Sequence, residues 1–168
     1  MSEMLPIQQR FLILEQGIGT GLINVALNGV IAAVLFRRLE TVPLWGPLSI
    51  AGDTLGTTFL LPVLLCLIAT PLARRKVARG MIPPLMRNRG EHWLFRRLPE
   101  RARLRAVVLG VICTLIVGPA TLIALTWLRV TSLPFWDFII FKALFAGALA
   151  TLLGPVVGLW AIVRFSDE

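Results

Sequence analysis

Three ionisable side chains stand inside long apolar runs of this sequence, namely Glu15, Asp53 and Lys142. A charge at the depth of a bilayer's hydrocarbon is costly, so such residues mark ion pairs, polar cavities or transport paths. Asp53 and Lys142 fall near corresponding ends of two runs, and we expect them to lie at similar depth and to pair. The pair has three interpretations: a structural clasp, part of a polar cavity that opens outward, or two side chains that snorkel to the headgroups.

Amide side chains add to these charges in the first apolar run. Gly17, Gly21, Asn24 and Asn28 are spaced so that they fall on one helical face. Such a stripe is typical of a packing seam in which asparagines hydrogen-bond across a helix contact. It could instead form the polar wall of a substrate path. The candidate polar path or clasp consists of Asn24, Asn28, Asp53, Thr57 and Lys142.

The sequence contains few residues that could support catalysis, metal binding or cofactor binding. The one histidine, His92, stands beside Glu91 and could serve as an acid/base group or a haem ligand, although a solvated loop histidine is the simpler interpretation. Cys66 and Cys113 stand inside apolar runs and favour small packing residues over a disulfide or a metal ligand. No phosphate-binding or dinucleotide-binding glycine motif is present. We therefore predict no metal site and no cofactor, and the sequence assigns no catalytic residue.

Membrane-spanning helices must position these side chains. Of the 168 residues, 57% are hydrophobic and only 15% are charged, and the mean hydropathy is +0.81. A soluble domain carries nearer a quarter charged residues. Four apolar runs are each long enough to cross a bilayer as a helix: 11–36, 48–73, 106–128 and 138–163. We predict an all-α integral membrane protein, a four-helix bundle in one domain over residues 1–168.

The basic residues predict the orientation. The net charge is +8, and eleven of the 17 lysines and arginines lie in the loop 74–105. The positive-inside rule places this loop in the cytoplasm, together with both termini. We expect the chain to reside in the cell membrane, in the inner membrane of a bacterium. We expect no nucleic acid partner, because the basic residues lie between apolar runs and should meet anionic lipid headgroups. The residues expected to do so are Arg74, Arg75, Lys76, Arg96 and Arg97.

Tryptophans fit the same orientation, because their rings favour the membrane interface. Trp45, Trp127 and Trp136 fall near the predicted outer boundary, and Trp93 and Trp160 fall near the inner one.

The sequence also matches itself at an offset of about 91 residues. The clearest match aligns Leu-Glu-Thr-Val-Pro-Leu-Trp at 39–45 with Val-Thr-Ser-Leu-Pro-Phe-Trp at 130–136. This pattern predicts two related helical hairpins in a parallel repeat. Glycines recur in all four runs, and small residues let membrane helices approach closely. The glycines expected at helix contacts are Gly17, Gly21, Gly110, Gly118, Gly147 and Gly158.

These features favour a transport-related or accessory membrane component. Four spans are few for a transporter that acts alone, so we expect a homodimer or a larger membrane complex. The alternative is a structural or regulatory membrane protein that binds partner helices and anionic lipid. A membrane enzyme acting on lipid ranks third. A transporter requires a cavity lined by the Asn and Asp side chains, whereas an interaction protein requires an exposed glycine-rich face.

Overall fold

The computed structural model describes residues 4–87 and 102–165. Within these ranges the chain is mostly helical, and four helices are long and apolar enough to span a membrane. They are α1 (Pro6–Leu35), α2 (Ile50–Ala78), α3 (Ala102–Trp127) and α4 (Phe135–Ile162). The predicted set of four long apolar helices is confirmed.

The helices extend beyond the apolar runs that predicted them. At the end of the bundle where α2 stops and α3 starts, called here the basic end, α1, α2 and α3 each continue four or five residues past the predicted boundary. Arginine and lysine are good helix formers, so the helices can continue after the apolar residues end. At the opposite end, the hairpin end, loop 36–49 joins α1 to α2 and loop 128–134 joins α3 to α4.

Local signals fix the ends of α2. The Ser49 hydroxyl accepts a hydrogen bond from the Gly52 backbone N–H at 3.2 Å and caps the first turn. The helix continues through Pro62 and Pro71 and ends at Ala78. Gly80 then adopts a left-handed conformation with a φ of +72°, which a residue with a side chain rarely adopts.

The helices do not pack in chain order. The close contacts join α1 to α4, α4 to α2, and α2 to α3. Each hairpin is therefore packed mainly against the other hairpin rather than against itself. Between α1 and α2 this arrangement leaves space along much of their length.

Two short strand pairs depart from the predicted all-α fold. At the hairpin end, β1 (Thr41–Pro43) pairs antiparallel with β3 (Ser132–Pro134), and Val42 stands opposite Leu133. At the basic end, β2 (Leu85–Arg87) pairs in parallel with β4 (Val163–Phe165). These three-residue pairs form because loops near a helix end must also satisfy their backbone hydrogen bonds, and pairing with another loop does so. The described chain remains mostly helical, as predicted.

The first half of α1 contains a feature that periodicity did not predict. Residues Phe11–Gly19 form a π-helix inside the longer helix. Its wider turn carries the hydrogen bond from the Thr20 backbone N–H to the Glu15 carbonyl, five residues earlier. Such π segments occur frequently at functional sites, and this one carries both Glu15 and Gln16.

Apolar side chains cover the outside of the bundle. In α1, only 11% of the most apolar segment is buried, against 44% in α2. Exposed apolar surface of this extent is rare on soluble monomers and marks contact with a membrane or a partner.

One interfacial residue was assigned wrongly. Trp160 is 7% exposed and packs in the core with Leu65 and Ala106. The Arg105 guanidinium lies 5.4 Å from its ring centroid, so the ring meets a cation inside the bundle rather than the bilayer interface. Trp45, Trp127 and Trp136 are exposed at the hairpin end, and Trp93 lies outside the described residues.

Candidate functional site

A groove of about 750 Å³ runs between α1 and α2, from the basic end to the hairpin end. It exists because α1 packs on α4 while α2 packs on α3 and α4, which leaves the facing sides of α1 and α2 apart. All five residues of the candidate polar path line this one groove: Asn24, Asn28, Asp53, Thr57 and Lys142.

Lys142 and Asp53 form an ion pair at the hairpin end of the groove. The Lys142 Nζ lies 2.6 Å from each carboxylate oxygen of Asp53. It also donates to the Thr57 hydroxyl at 2.5 Å. The side chains of the pair are 5% and 10% exposed. The predicted pairing is present, although Asp53 is in the first turn of α2 whereas Lys142 is two turns into α4.

Asn24 and Asn28 lie on the groove side of α1. The Asn24 Nδ2 donates to the Thr20 carbonyl at 2.9 Å, and the Asn28 Nδ2 donates to the Asn24 carbonyl at 3.1 Å. Among the described residues neither amide bonds to another helix, so the predicted hydrogen bonding across a packing seam was wrong. The contact with α4 instead passes through Gly21, Val25 and Gly29.

Two rows of aliphatic side chains form the lips of the groove. Each row repeats every four residues, so its members lie one above another on a helix. These side chains are between 39% and 66% exposed, so the groove is open to the outside of the bundle between the two rows. The α1 lip consists of Ile23, Leu27, Ile31 and Leu35, and the α2 lip consists of Leu60, Leu64, Ile68 and Leu72.

The floor of the groove, beneath the lips, differs between the two helices. On α1 it carries polar groups, Thr20, Asn24 and Asn28, which are half-buried. Beside them, α2 contributes an apolar, buried floor with Leu61 and Leu65, while its polar residues Asp53 and Thr57 lie at the hairpin end. The groove therefore has a one-sided polar floor and wholly aliphatic lips.

Charged residues surround the groove at the basic end. Arg75 and Lys76 line it from the last turn of α2, Arg79 lines it from the position that follows this helix, and Glu15 lines it from the π-helical part of α1. Lys76 is ion-paired with Glu15 across the groove, and its Nζ lies 5.5 Å from the Phe11 ring centroid. Three cations against one carboxylate give this basic mouth a net positive charge.

Glycines bring α1 and α4 into close contact. A Cβ added to Gly21 would lie 3.2 Å from the Gly147 carbonyl oxygen, and one added to Gly147 would lie 3.3 Å from the Gly21 carbonyl oxygen. A Cβ on Gly154 would overlap the Gln16 backbone carbonyl. The same seam includes Gly17 and Gly158.

The contact between α2 and α3 is built in the same way. A Cβ on Gly110 would lie 2.8 Å from Val63 Cγ2, and one on Gly118 would lie 2.8 Å from Leu55 Cδ2. The six glycines expected at helix contacts thus all lie against a neighbouring helix, and a side chain on any of them would contact it.

Some expected residues fall elsewhere. Glu91, His92, Arg96 and Arg97 lie outside the described residues. Arg74 is exposed at the basic end but does not line the groove. Cys66 and Cys113 are buried, and no group of metal-ligating side chains occurs in the part of the chain that the structure describes.

The sequence also left some groove residues unassigned. Gln16 lines the groove, and its buried Oε1 has no hydrogen-bond partner among the described residues. The lip rows are visible in the sequence as a spacing of four. That spacing did not identify them, because any row of lipid-facing residues on a helix has it. The chain matches no protein-family model, no curated protein and no solved structure.

Proposed function

We propose that this chain is a transport-related membrane protein that carries its cargo in the groove between α1 and α2. One observation carries the proposal: the three ionisable side chains of the apolar runs, Glu15, Asp53 and Lys142, and the two asparagines of α1 all line a single groove. Polar groups at this depth are costly, so their concentration along one opening favours a path. The lips suit a cargo that is itself soluble in the membrane.

The proposal includes the placement of the chain. The four helices, 26 to 30 residues long, cross the cell membrane, with the basic end and both termini in the cytoplasm. Arg74, Arg75 and Lys76 then meet anionic lipid headgroups, as do Arg96 and Arg97 from the same loop. The exposed tryptophans at the hairpin end support an interface there.

We also propose that the two hairpins are a duplicated unit. Val42 and Leu133, which stand opposite each other in the β1–β3 pair, are 91 residues apart, the offset of the sequence repeat. In the proposed repeat, α1 corresponds to α3 and α2 corresponds to α4. The contact between α1 and α4 therefore corresponds to the contact between α3 and α2, and both contacts are present. At the positions equivalent to Asn24 and Asp53 the second hairpin has Leu115 and Leu144. The second hairpin therefore lacks the amide and the carboxylate that the first hairpin carries at these two positions.

The rival proposal, a protein that binds partner helices through glycine faces, has less support. The expected glycines already face neighbouring helices of the same chain. Assembly into a homodimer or a larger complex remains part of our proposal, because the lipid-facing sides of the bundle are free for it among the described residues.

Cysteine accessibility tests the path. In a background with Cys66→Ala and Cys113→Ala, the variants Asn24→Cys and Asn28→Cys should react with a charged, membrane-impermeant thiol reagent. Leu115→Cys is the matched control, because it is the repeat equivalent of Asn24 and is 70% exposed on α3. We expect the two groove cysteines to react much faster than the control. Equal, slow reaction at all three positions would contradict a path in this groove.

A further inference from the structure

We propose that the cargo is an anionic phospholipid, whose headgroup crosses the bilayer along the polar floor of the groove while its acyl chains stay in the surrounding lipid. This inference rests on the proposed function and names its substrate class. Three features of the described residues carry it: the length of the groove, its sideways opening and the distribution of polar groups along it.

The groove is long enough to connect the two membrane surfaces. Thr57, which contacts Lys142 at the hairpin end, and Lys76 at the basic mouth are 19 residues apart on α2. That separation corresponds to about 28 Å of helix, close to the roughly 30 Å thickness of the hydrocarbon core. A headgroup entering at one end can therefore reach the other without leaving the groove.

The sideways opening suits a lipid better than a water-soluble solute. Both lips consist of leucine and isoleucine, and these side chains are exposed on the outside of the bundle. A small polar solute in such a groove would be in contact with hydrocarbon along its whole path. A phospholipid places its headgroup inside and its acyl chains outside, so each part meets surface of its own polarity.

The floor offers hydrogen-bonding groups at regular intervals. Thr20, Asn24 and Asn28 are four residues apart, or about 6 Å per step along α1. Each asparagine amide uses an N–H on its own helix. An asparagine has two amide N–H groups and a carbonyl oxygen, so capacity remains for a ligand. The steps end at the polar cluster of Asp53, Thr57 and Lys142.

Charge at the basic mouth favours an anionic headgroup. Arg75 and Arg79 stand one turn apart beside the Lys76–Glu15 ion pair, and all four residues line the groove. Arginine binds phosphate through several N–H donors in one plane. A phospholipid whose headgroup adds no positive charge to the phosphodiester is therefore favoured at entry over a zwitterionic phospholipid.

Transbilayer movement of labelled lipid tests the inference. The full chain is reconstituted in phosphatidylcholine vesicles that contain a trace of fluorescent phosphatidylglycerol or phosphatidylcholine, and an impermeant quencher reports exchange between leaflets. We expect the wild-type protein to accelerate exchange of phosphatidylglycerol well above the rate in protein-free vesicles. The Asn24→Leu/Asn28→Leu variant should return exchange to the protein-free rate.

Two matched variants separate the path from general effects of substitution. Thr114→Val/Thr121→Val removes two hydroxyls that bond within α3, outside the groove, and should exchange lipid like the wild type. Arg75→Gln/Arg79→Gln should lower the preference for phosphatidylglycerol over phosphatidylcholine. Arg103→Gln, which changes an exposed arginine at the same end of the bundle outside the groove lining, should preserve that preference.

The inference fails if wild-type protein exchanges lipid no faster than empty vesicles, or if Asn24→Leu/Asn28→Leu exchanges it as fast as the wild type. Equal wild-type rates for the two lipids would overturn the assignment of an anionic headgroup. If the groove cysteines react with the thiol reagent but lipid does not move, the proposed path stands and the substrate class is wrong. If the cysteines are also unreactive, both proposals fall together.

Discussion

Lys142 is only 4% exposed, yet its ammonium has an oxygen acceptor for each of its three N–H donors. Two are the carboxylate oxygens of Asp53 and the third is the hydroxyl of Thr57. The Thr57 hydroxyl in turn donates to the Asp53 carbonyl at 2.7 Å. A buried cation whose donors are all used is stable where an isolated one would be costly, so this residue can lie at the end of a polar path.

Removing one partner of the ion pair should therefore destabilise the protein more than removing both partners. Lys142→Met leaves a buried carboxylate without its cation, which costs about 3–5 kcal/mol. Asp53→Leu combined with Lys142→Met removes both charges and should be less destabilising than Lys142→Met alone. Thermal unfolding of the purified variants in lipid nanodiscs measures the order of stability.

Reversing the charges provides the control for the pair. Asp53→Lys and Lys142→Asp should each lower the melting temperature, and the two changes combined should recover part of the loss. Single changes that are harmless, with no recovery in the swap, would contradict an ion pair. A swap that restores stability but not lipid exchange would assign the pair a specific orientation in the path.

At the scale of the helix, the seam between α1 and α4 depends on the absence of side chains. An added methyl at Gly154 would overlap the Gln16 carbonyl, which is backbone and cannot move without shifting the helix. Gly154→Ala should cost about 1–3 kcal/mol. Gly56→Ala is the matched control, because no atom lies within 4 Å of its added Cβ, and alanine should stabilise that helix by up to about 1 kcal/mol. Melting temperatures that fall equally in both variants would contradict a close glycine seam.

The same helices mark what the sequence could and could not predict. The four apolar runs and the Asp53–Lys142 pair followed from local composition and from depth along a helix. The sequence did not predict which neighbouring helix each face of α1 contacts. Gly21, Asn24 and Asn28 fall within a narrow arc of this helix, and only the positions of the other helices distinguish their surroundings. Gly21 contacts α4 whereas the two asparagines line the groove. The π-helical turn and the paired loops likewise correspond to no periodic pattern in the sequence.

At the scale of the molecule, the two hairpins differ in one consequential way. Under the proposed duplication, the cleft between α3 and α4 corresponds to the groove. There Pro119 stands where Asn28 does, and Ala148 stands where Thr57 does. Ala51 occupies the position equivalent to Lys142. The polar residues of the proposed path therefore have no counterparts at these positions of the second hairpin. Which membrane surface the basic mouth of the groove would face depends on the orientation of the chain.

Orientation is testable with one cysteine at each end of the bundle. Loop 74–105 carries eleven basic residues, whereas the hairpin-end loops contain only Arg37, Arg38 and Arg129, so the basic end should be cytoplasmic. In the cysteine-free background, Arg38→Cys should react with an impermeant reagent added outside intact cells. Arg103→Cys, exposed on α3 at the basic end, should react only after permeabilisation. The reverse pattern would place the basic mouth outside the cell, and lipid entering through Arg75 and Arg79 would then come from the outer leaflet.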